Sequence, residues 1–96
     1  MLVPTADVED LITSHPDVSE AVLVAHHPDG GQREVPAAVV VAQPGRHPEL
    51  DDVRRHLLDR GTTEWYLPEH LVLVDALTRG ADGKIDKRAL RDSLGG

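Results

Sequence analysis

Val35-Pro36-Ala37-Ala38-Val39-Val40-Val41-Ala42 is apolar at every position and rich in β-branched residues. Eight residues is strand length, and a strand without polar alternation is covered on both faces, so the segment reads as a central, buried strand. Pro36 cannot donate to a ladder, but it stands at the start of the segment, where a missing donor is tolerated. Immediately upstream, His27-Pro28-Asp29-Gly30-Gly31-Gln32 is dense in turn-forming residues. Before it, residues 18–26 (Val-Ser-Glu-Ala-Val-Leu-Val-Ala-His) form a β-branched run too short for a helix. Strand, glycine-rich turn and strand predict a hairpin.

Further toward the N-terminus, Val8, Leu11 and Ile12 fall at i, i+3 and i+4. This predicts a short amphipathic helix over residues 6–14, capped by Thr5 and closed by Pro16. Met1-Leu2-Val3-Pro4 reads as the end of an extended segment. Downstream of the central strand, Pro44, Gly45 and Pro48 mark a loop, and a second helix follows. Glu49, Asp51 and Asp52 crowd its first turn, Leu50, Val53, Leu57 and Leu58 make one face, Arg60 lies in its last turn and Gly61 stops it. Residues 62–68 are a connector, Leu71-Val72-Leu73-Val74 a third strand, and residues 87–94 a last helix capped by Asp86 and stopped by Gly95. The expected order is αββαβα. The fold class is α+β, a small sheet of about three strands, the hairpin plus one, packed with helices.

Ninety-six residues make a single small domain with one modest core. Trp65 and Tyr66 are the only large aromatics, so that core is built from Val, Leu, Ile and Ala. A lone aromatic pair of this kind reads as packing rather than a binding face. The absence of cysteine excludes a disulfide framework and a thiolate metal site. Six histidines are scattered, none at i, i+4 to another, and His26 and His27 point to opposite faces of a strand end, so no metal site is expected. The net charge of −7 argues against nucleic acid as a partner. No apolar run is long enough to span a membrane and no leader is visible, so a cytoplasmic location is expected.

The charge is unevenly placed. Residues 79–96 hold five basic and three acidic groups, whereas residues 1–78 hold five basic and fourteen acidic. Both lysines of the chain, Lys84 and Lys87, lie in the former segment. Leu77-Thr78-Arg79-Gly80-Ala81-Asp82-Gly83-Lys84-Ile85-Asp86-Lys87-Arg88-Ala89-Leu90 is thus a polar loop that carries a lysine at its tip and turns straight into a helix. Gly83 supplies a positive φ for a sharp turn before Lys84. A cationic hook on an acidic body suits the handling of an anion. It is not a phosphate-binding P-loop, because Gly80 is only three residues before Gly83 and Ile85 stands where a hydroxyl should be.

The series from Asp75 to Leu90 resembles the closing motif of the adenylate-forming enzymes: acyl- and aryl-CoA ligases, adenylation domains of nonribosomal peptide synthetases, and luciferases. Their pattern is roughly Leu-Pro-x-Thr-x-x-Gly-Lys-[hydrophobic]-x-[Arg/Lys]-x-x-Leu. Three further segments agree in order and spacing. Val3-Pro4-Thr5-Ala6-Asp7-Val8-Glu9 resembles the family's Pro-x-x-[Val/Ile]-Glu helix. His15-Pro16 with residues 18–24 resembles its first strand, and Trp65-Tyr66-Leu67-Pro68-Glu69-His70 resembles the step before the last strand.

The resemblance is to the mobile C-terminal domain alone, and covers nearly the whole chain. It implies a large N-terminal adenylation domain as partner, covalent or in trans, binding ATP, Mg²⁺ and a carboxylic acid. The thiol acceptor would be CoA or the phosphopantetheine of an acyl carrier protein. Lys84 falls on the lysine whose ammonium bridges the acid's carboxylate and the α-phosphate of ATP as negative charge builds, a task suited to a compact point charge on a flexible stem. Gly83 and Gly80 would position it, and Lys87 and Arg88 are candidates for phosphate or partner contacts. Both oppose the macrodipole at the start of the last helix. The family rotates this domain for thioester formation about a hinge that precedes the Val-Pro segment and so falls outside this sequence.

Three positions depart from the pattern: Thr78 and Gly80 replace proline and threonine, and Asp82 replaces a small or neutral residue. Loss of the rigid proline at Thr78 predicts a looser entry to the loop, and Asp82 places a negative charge beside the lysine. Glu9 and Glu64 read as solvated. Two functions remain: the catalytic lid domain of an acid–CoA or acid–carrier-protein ligase, and a non-catalytic module of the same fold that docks a separate adenylation domain or carrier protein.

Overall fold

The computed structural model describes residues 5–27 and 34–94. Its elements are α1 (Thr5–Thr13), β1 (Val18–His26), β2 (Val35–Ala42), α2 (Leu50–Asp59), a 3₁₀ turn (Glu64–Tyr66), β3 (His70–Leu73) and α3 (Lys87–Leu94). The order αββαβα and the α+β class are those expected. The sheet order is β1-β2-β3, with β1 antiparallel to β2 and β2 parallel to β3. The parallel pairing follows from the connection: residues 43–69 cross over through α2, whereas β1 and β2 are hairpin neighbours. Most of the turn expected at residues 27–32 lies outside the described residues, as do the extended start at residues 1–4 and the stop at Gly95. α1 already includes Thr5, which was expected to cap it, and β3 begins one residue earlier than its apolar run.

β2 is central, and its alternate side chains enter two cores. Ala38 and Val40 face Val8 and Ile12 of α1, Ala21 and Leu23 of β1, and Val53 and Leu57 of α2. Ala37 and Val39 face the opposite way, toward Val22 and Val24 of β1, Leu77 and Leu90. The period of 2 in β2, with both sets buried, accounts for the lack of polar alternation in its sequence. α2 begins with a reciprocal capping box between Glu49 and Asp52, so its crowded acidic first turn both caps the helix and complements its dipole. Leu58 corrects the helix face read from sequence: it is 48% exposed, because it lies about 100° around the helix from buried Leu57.

Glu9 is a second correction. It is not solvated; its Oε2 accepts the amide hydrogen of Leu23 at 2.7 Å and pairs with Lys87 Nζ at 2.7 Å. Among the described residues β1 is paired on one side only, so Leu23 N–H would otherwise be an unused donor at a sheet edge, and Glu9 closes it. The same carboxylate ties α1 to α3 and neutralises the cation at the start of α3. The conflict of Lys87 with that helix dipole is thus met from within the chain.

The turn that follows α1 also meets α2 through histidines. The His15 and His56 rings are 4.9 Å apart, and Ser14 Oγ lies 2.9 Å from His56 Nε2. Ser14 gives its own hydrogen to Leu11 O at 2.6 Å, so the imidazole is the donor in the Ser14 contact. Burial, then Arg60 and His15, hold His56 below its ordinary pKa. The folded state therefore binds this proton more weakly than the unfolded chain. The corresponding stability is complete above the unfolded value of about 6.5 and is lost as pH falls through the lower folded value. Denaturation midpoints are expected to decline with acidification in this window, and the His56→Gln variant to show a shallower decline.

Candidate functional site

The lysine loop is built on two buried anchors, Leu77 at its start and Leu90 in α3, both in the core on the Val39 face of the sheet. Between them, Arg79 and Ile85 form an antiparallel bridge, reinforced by Gly80 N–H to Lys84 O (2.8 Å) and Asp86 N–H to Thr78 O (2.7 Å). The tip is a four-residue turn closed by Gly83 N–H to Gly80 O at 3.0 Å. Gly83 then takes φ +83°, the left-handed conformation expected of it. A Cβ added there would meet nothing within 4 Å, so Gly83→Ala carries a purely conformational penalty. That penalty is expected to be about 1–2 kcal/mol, read as a lower urea midpoint, with Gly83→Asn milder.

Asp82 does not simply place charge beside the lysine. Its Oδ1 accepts the Lys84 amide hydrogen at 3.0 Å, which fastens the tip. Nor is the start of the loop slack. Arg79 donates through Nη2 to Glu20 Oε1 on β1 (2.7 Å) and through Nη1 to Gly83 O (3.3 Å). Strand-like alternation across residues 84 and 85 then turns Ile85 toward the core and Lys84 out. Lys84 is exposed, and its ammonium makes no hydrogen bond or ion pair with any described residue. By contrast, Lys87 and Arg79 are paired.

α3 starts where Asp86 caps it, with Oδ1 accepting Ala89 N–H at 3.0 Å. Its basic residues belong to a different surface from Lys84. Lys87, Arg88 and Arg91 line a groove of about 480 Å³ with Tyr66 and Pro36, and none of Gly80, Gly83 or Lys84 is part of it. The structure thus brings Lys84, Gly83 and Gly80 together and sets Lys87 and Arg88 apart. Tyr66 packs against the core on the α1 side. His26 and His70 make an edge contact at 4.8 Å, and among the described residues no three His, Asp or Glu side chains come together to hold a metal ion. Sequence reasoning missed Arg79, Glu20 and Glu9. Glu20, the one carboxylate in the largely apolar run of β1, carried a hint of its role, whereas Glu9, between Asp7 and Asp10, carried none.

The profile described as the AMP-binding enzyme C-terminal domain matches residues 7–84, a span that ends on Lys84. A long-chain-fatty-acid–CoA ligase from Thermus thermophilus is 38% identical over 91 residues, covering 94% of this chain and 16% of that enzyme. The pseudomonine synthase PmsE of Pseudomonas entomophila is 41% identical over 91 residues, covering 93% of this chain and 14% of that protein. Among solved structures, apo MbtA of Mycobacterium smegmatis superposes with a TM-score of 0.84 at 37% identity, over 94% of this chain and 17% of that one. The chain therefore spans about one-sixth of the length of these three relatives. With its fold, its loop and nearly all its length in common with theirs, the chain belongs to the AMP-binding enzyme C-terminal domain family, the small C-terminal domain of adenylate-forming enzymes.

Proposed function

We propose that this domain is the catalytic lid of an ATP-dependent ligase that activates a carboxylic acid and passes it to the thiol of CoA or of a carrier-protein phosphopantetheine. The observation that carries the proposal is the exposed ammonium of Lys84, which pairs with no described residue, at the tip of a turn closed by its own hydrogen bonds. In the first step a carboxylate oxygen attacks the α-phosphorus of ATP, the bond to the bridging oxygen breaks, and pyrophosphate leaves. The attacking carboxylate is already ionised, so Lys84 need not act as a base. Its charge would lie between carboxylate and α-phosphate oxygens, where negative charge concentrates in the transition state. Mg²⁺ and the bulk of the ATP and acid pockets would belong to the large adenylation domain. In the second step the thiol loses its proton to solvent, its sulfur attacks the acyl carbon, the acyl carbon–oxygen bond to the phosphate breaks and AMP leaves, with this domain rotated so that Lys84 is withdrawn.

A relative named as a CoA ligase and one named as a fatty acid–[acyl-carrier-protein] ligase both support a thiol acceptor without separating the two kinds. The deciding experiment is reconstitution. The large domain of the cognate ligase is assayed for acid-dependent pyrophosphate release with and without this chain. Release that depends on both supports the lid reading. Binding without any rise in turnover would instead make the chain a docking module.

A further inference from the structure

We propose that Arg79 and Glu20 act as a positioning clip that fixes the Lys84 loop to the sheet, so that the lysine moves only as the domain moves. The inference rests on the role proposed for Lys84. Between the buried anchor Leu77 and the half-buried Ile85, residues 78–84 are all exposed, so within that span no core packing holds the loop to the sheet. Its own hydrogen bonds shape the turn but do not tie it to the body of the domain. The guanidinium of Arg79 does both: Nη2 reaches Glu20 Oε1 on β1, and Nη1 reaches the carbonyl of Gly83, the residue before Lys84. A planar fork holds two acceptors in a fixed mutual geometry, which a flexible ammonium cannot do.

Glu20 is placed for the task. It shares a strand face with Val22 and Val24, the face on which the loop anchors pack, and it follows the register shift between Val18 and Glu20. Such shifts re-aim side chains. Both partners are nearly half exposed, so the pair contributes little to global stability. Its consequence is geometric. The pair also supplies the rigidity that the loop loses where Thr78 stands in place of the family's proline.

The test uses the ligase with both domains present, on one chain or mixed, in the variants Arg79→Gln, Glu20→Gln, their double variant and Lys84→Ala. Either single substitution is expected to lower the turnover of acid-dependent pyrophosphate exchange about tenfold, since small misplacements of a catalytic group are costly. The KM for ATP should change little. The double variant should lose no more than either single one, because each breaks the same link. Thioester formation from preformed acyl-adenylate should be unchanged, and the melting temperature should hold within about 2 °C. The clip is overturned if Lys84→Ala abolishes exchange while Arg79→Gln and Glu20→Gln leave it intact. It is also overturned if both half-reactions fall together or the melting temperature drops, since the pair would then be merely structural. If Lys84→Ala itself leaves exchange intact, the reading beneath the clip fails and the clip with it.

Discussion

Lys84→Ala is expected to reduce acid-dependent adenylation by about 10²-fold or more, the range found when one preorganised charge is removed from a developing anionic transition state. The loop geometry makes this a clean substitution. The side chain is exposed and its ammonium pairs with no described residue, so alanine leaves no cavity and no orphaned partner among them. The main-chain bonds of residue 84, from its amide to Asp82 and from its carbonyl to Gly80, survive the change. Stability should therefore be unaltered while turnover collapses. Lys84→Arg keeps the charge but spreads it over a planar group with a different reach, so it should recover only part of the loss. A variant with full charge and full activity would point to bulk electrostatics rather than to a point contact.

Glu9→Ala is expected to be the most damaging substitution to stability among those considered. It removes the acceptor of Leu23 N–H at the edge of β1, which costs about 1–3 kcal/mol for a shielded amide left unsatisfied. It also leaves Lys87 alone at the N-terminus of α3, against the helix dipole, for about 0.3–1 kcal/mol more. The sum is a large part of the 5–15 kcal/mol typical of a small domain. Glu9→Gln keeps an acceptor and loses only the ion pair, so its cost should stay under about 1 kcal/mol. Urea titration of the three proteins reads the difference directly. Equal midpoints for Ala and Gln would show that the carboxylate, not the amide bond it accepts, matters.

Those expectations also mark where sequence reading succeeds and where it stops. β2 was legible because eight consecutive apolar residues leave no exposed face, and α2 because its acidic first turn and Gly61 stop are local signals. The Gly83 turn and the Asp86 cap were legible for the same reason: a turn needing positive φ and a helix cap are written within a few residues. Leu58 misled because a helix stripe read by eye is wider than the face that packs. The Glu9 bridge to Leu23 and Lys87, and the Arg79 link to Glu20, join residues fourteen to seventy-eight positions apart in sequence. No local pattern encodes such pairings, since they follow from the way α1 and the lysine loop lie against β1. The departures at Thr78 and Asp82 predicted looseness and interference, whereas the structure meets both with contacts that only the folded arrangement supplies.

The role proposed for Lys84 serves one half-reaction and not the other. The most direct test follows both in the two-domain ligase carrying Lys84→Ala: the burst of acyl-adenylate from acid and ATP, and the transfer of a preformed acyl-adenylate to the thiol. A loss of about 10²-fold or more in the burst with an unchanged transfer rate is the predicted result. An unchanged burst, or equal losses in the two steps, would contradict it.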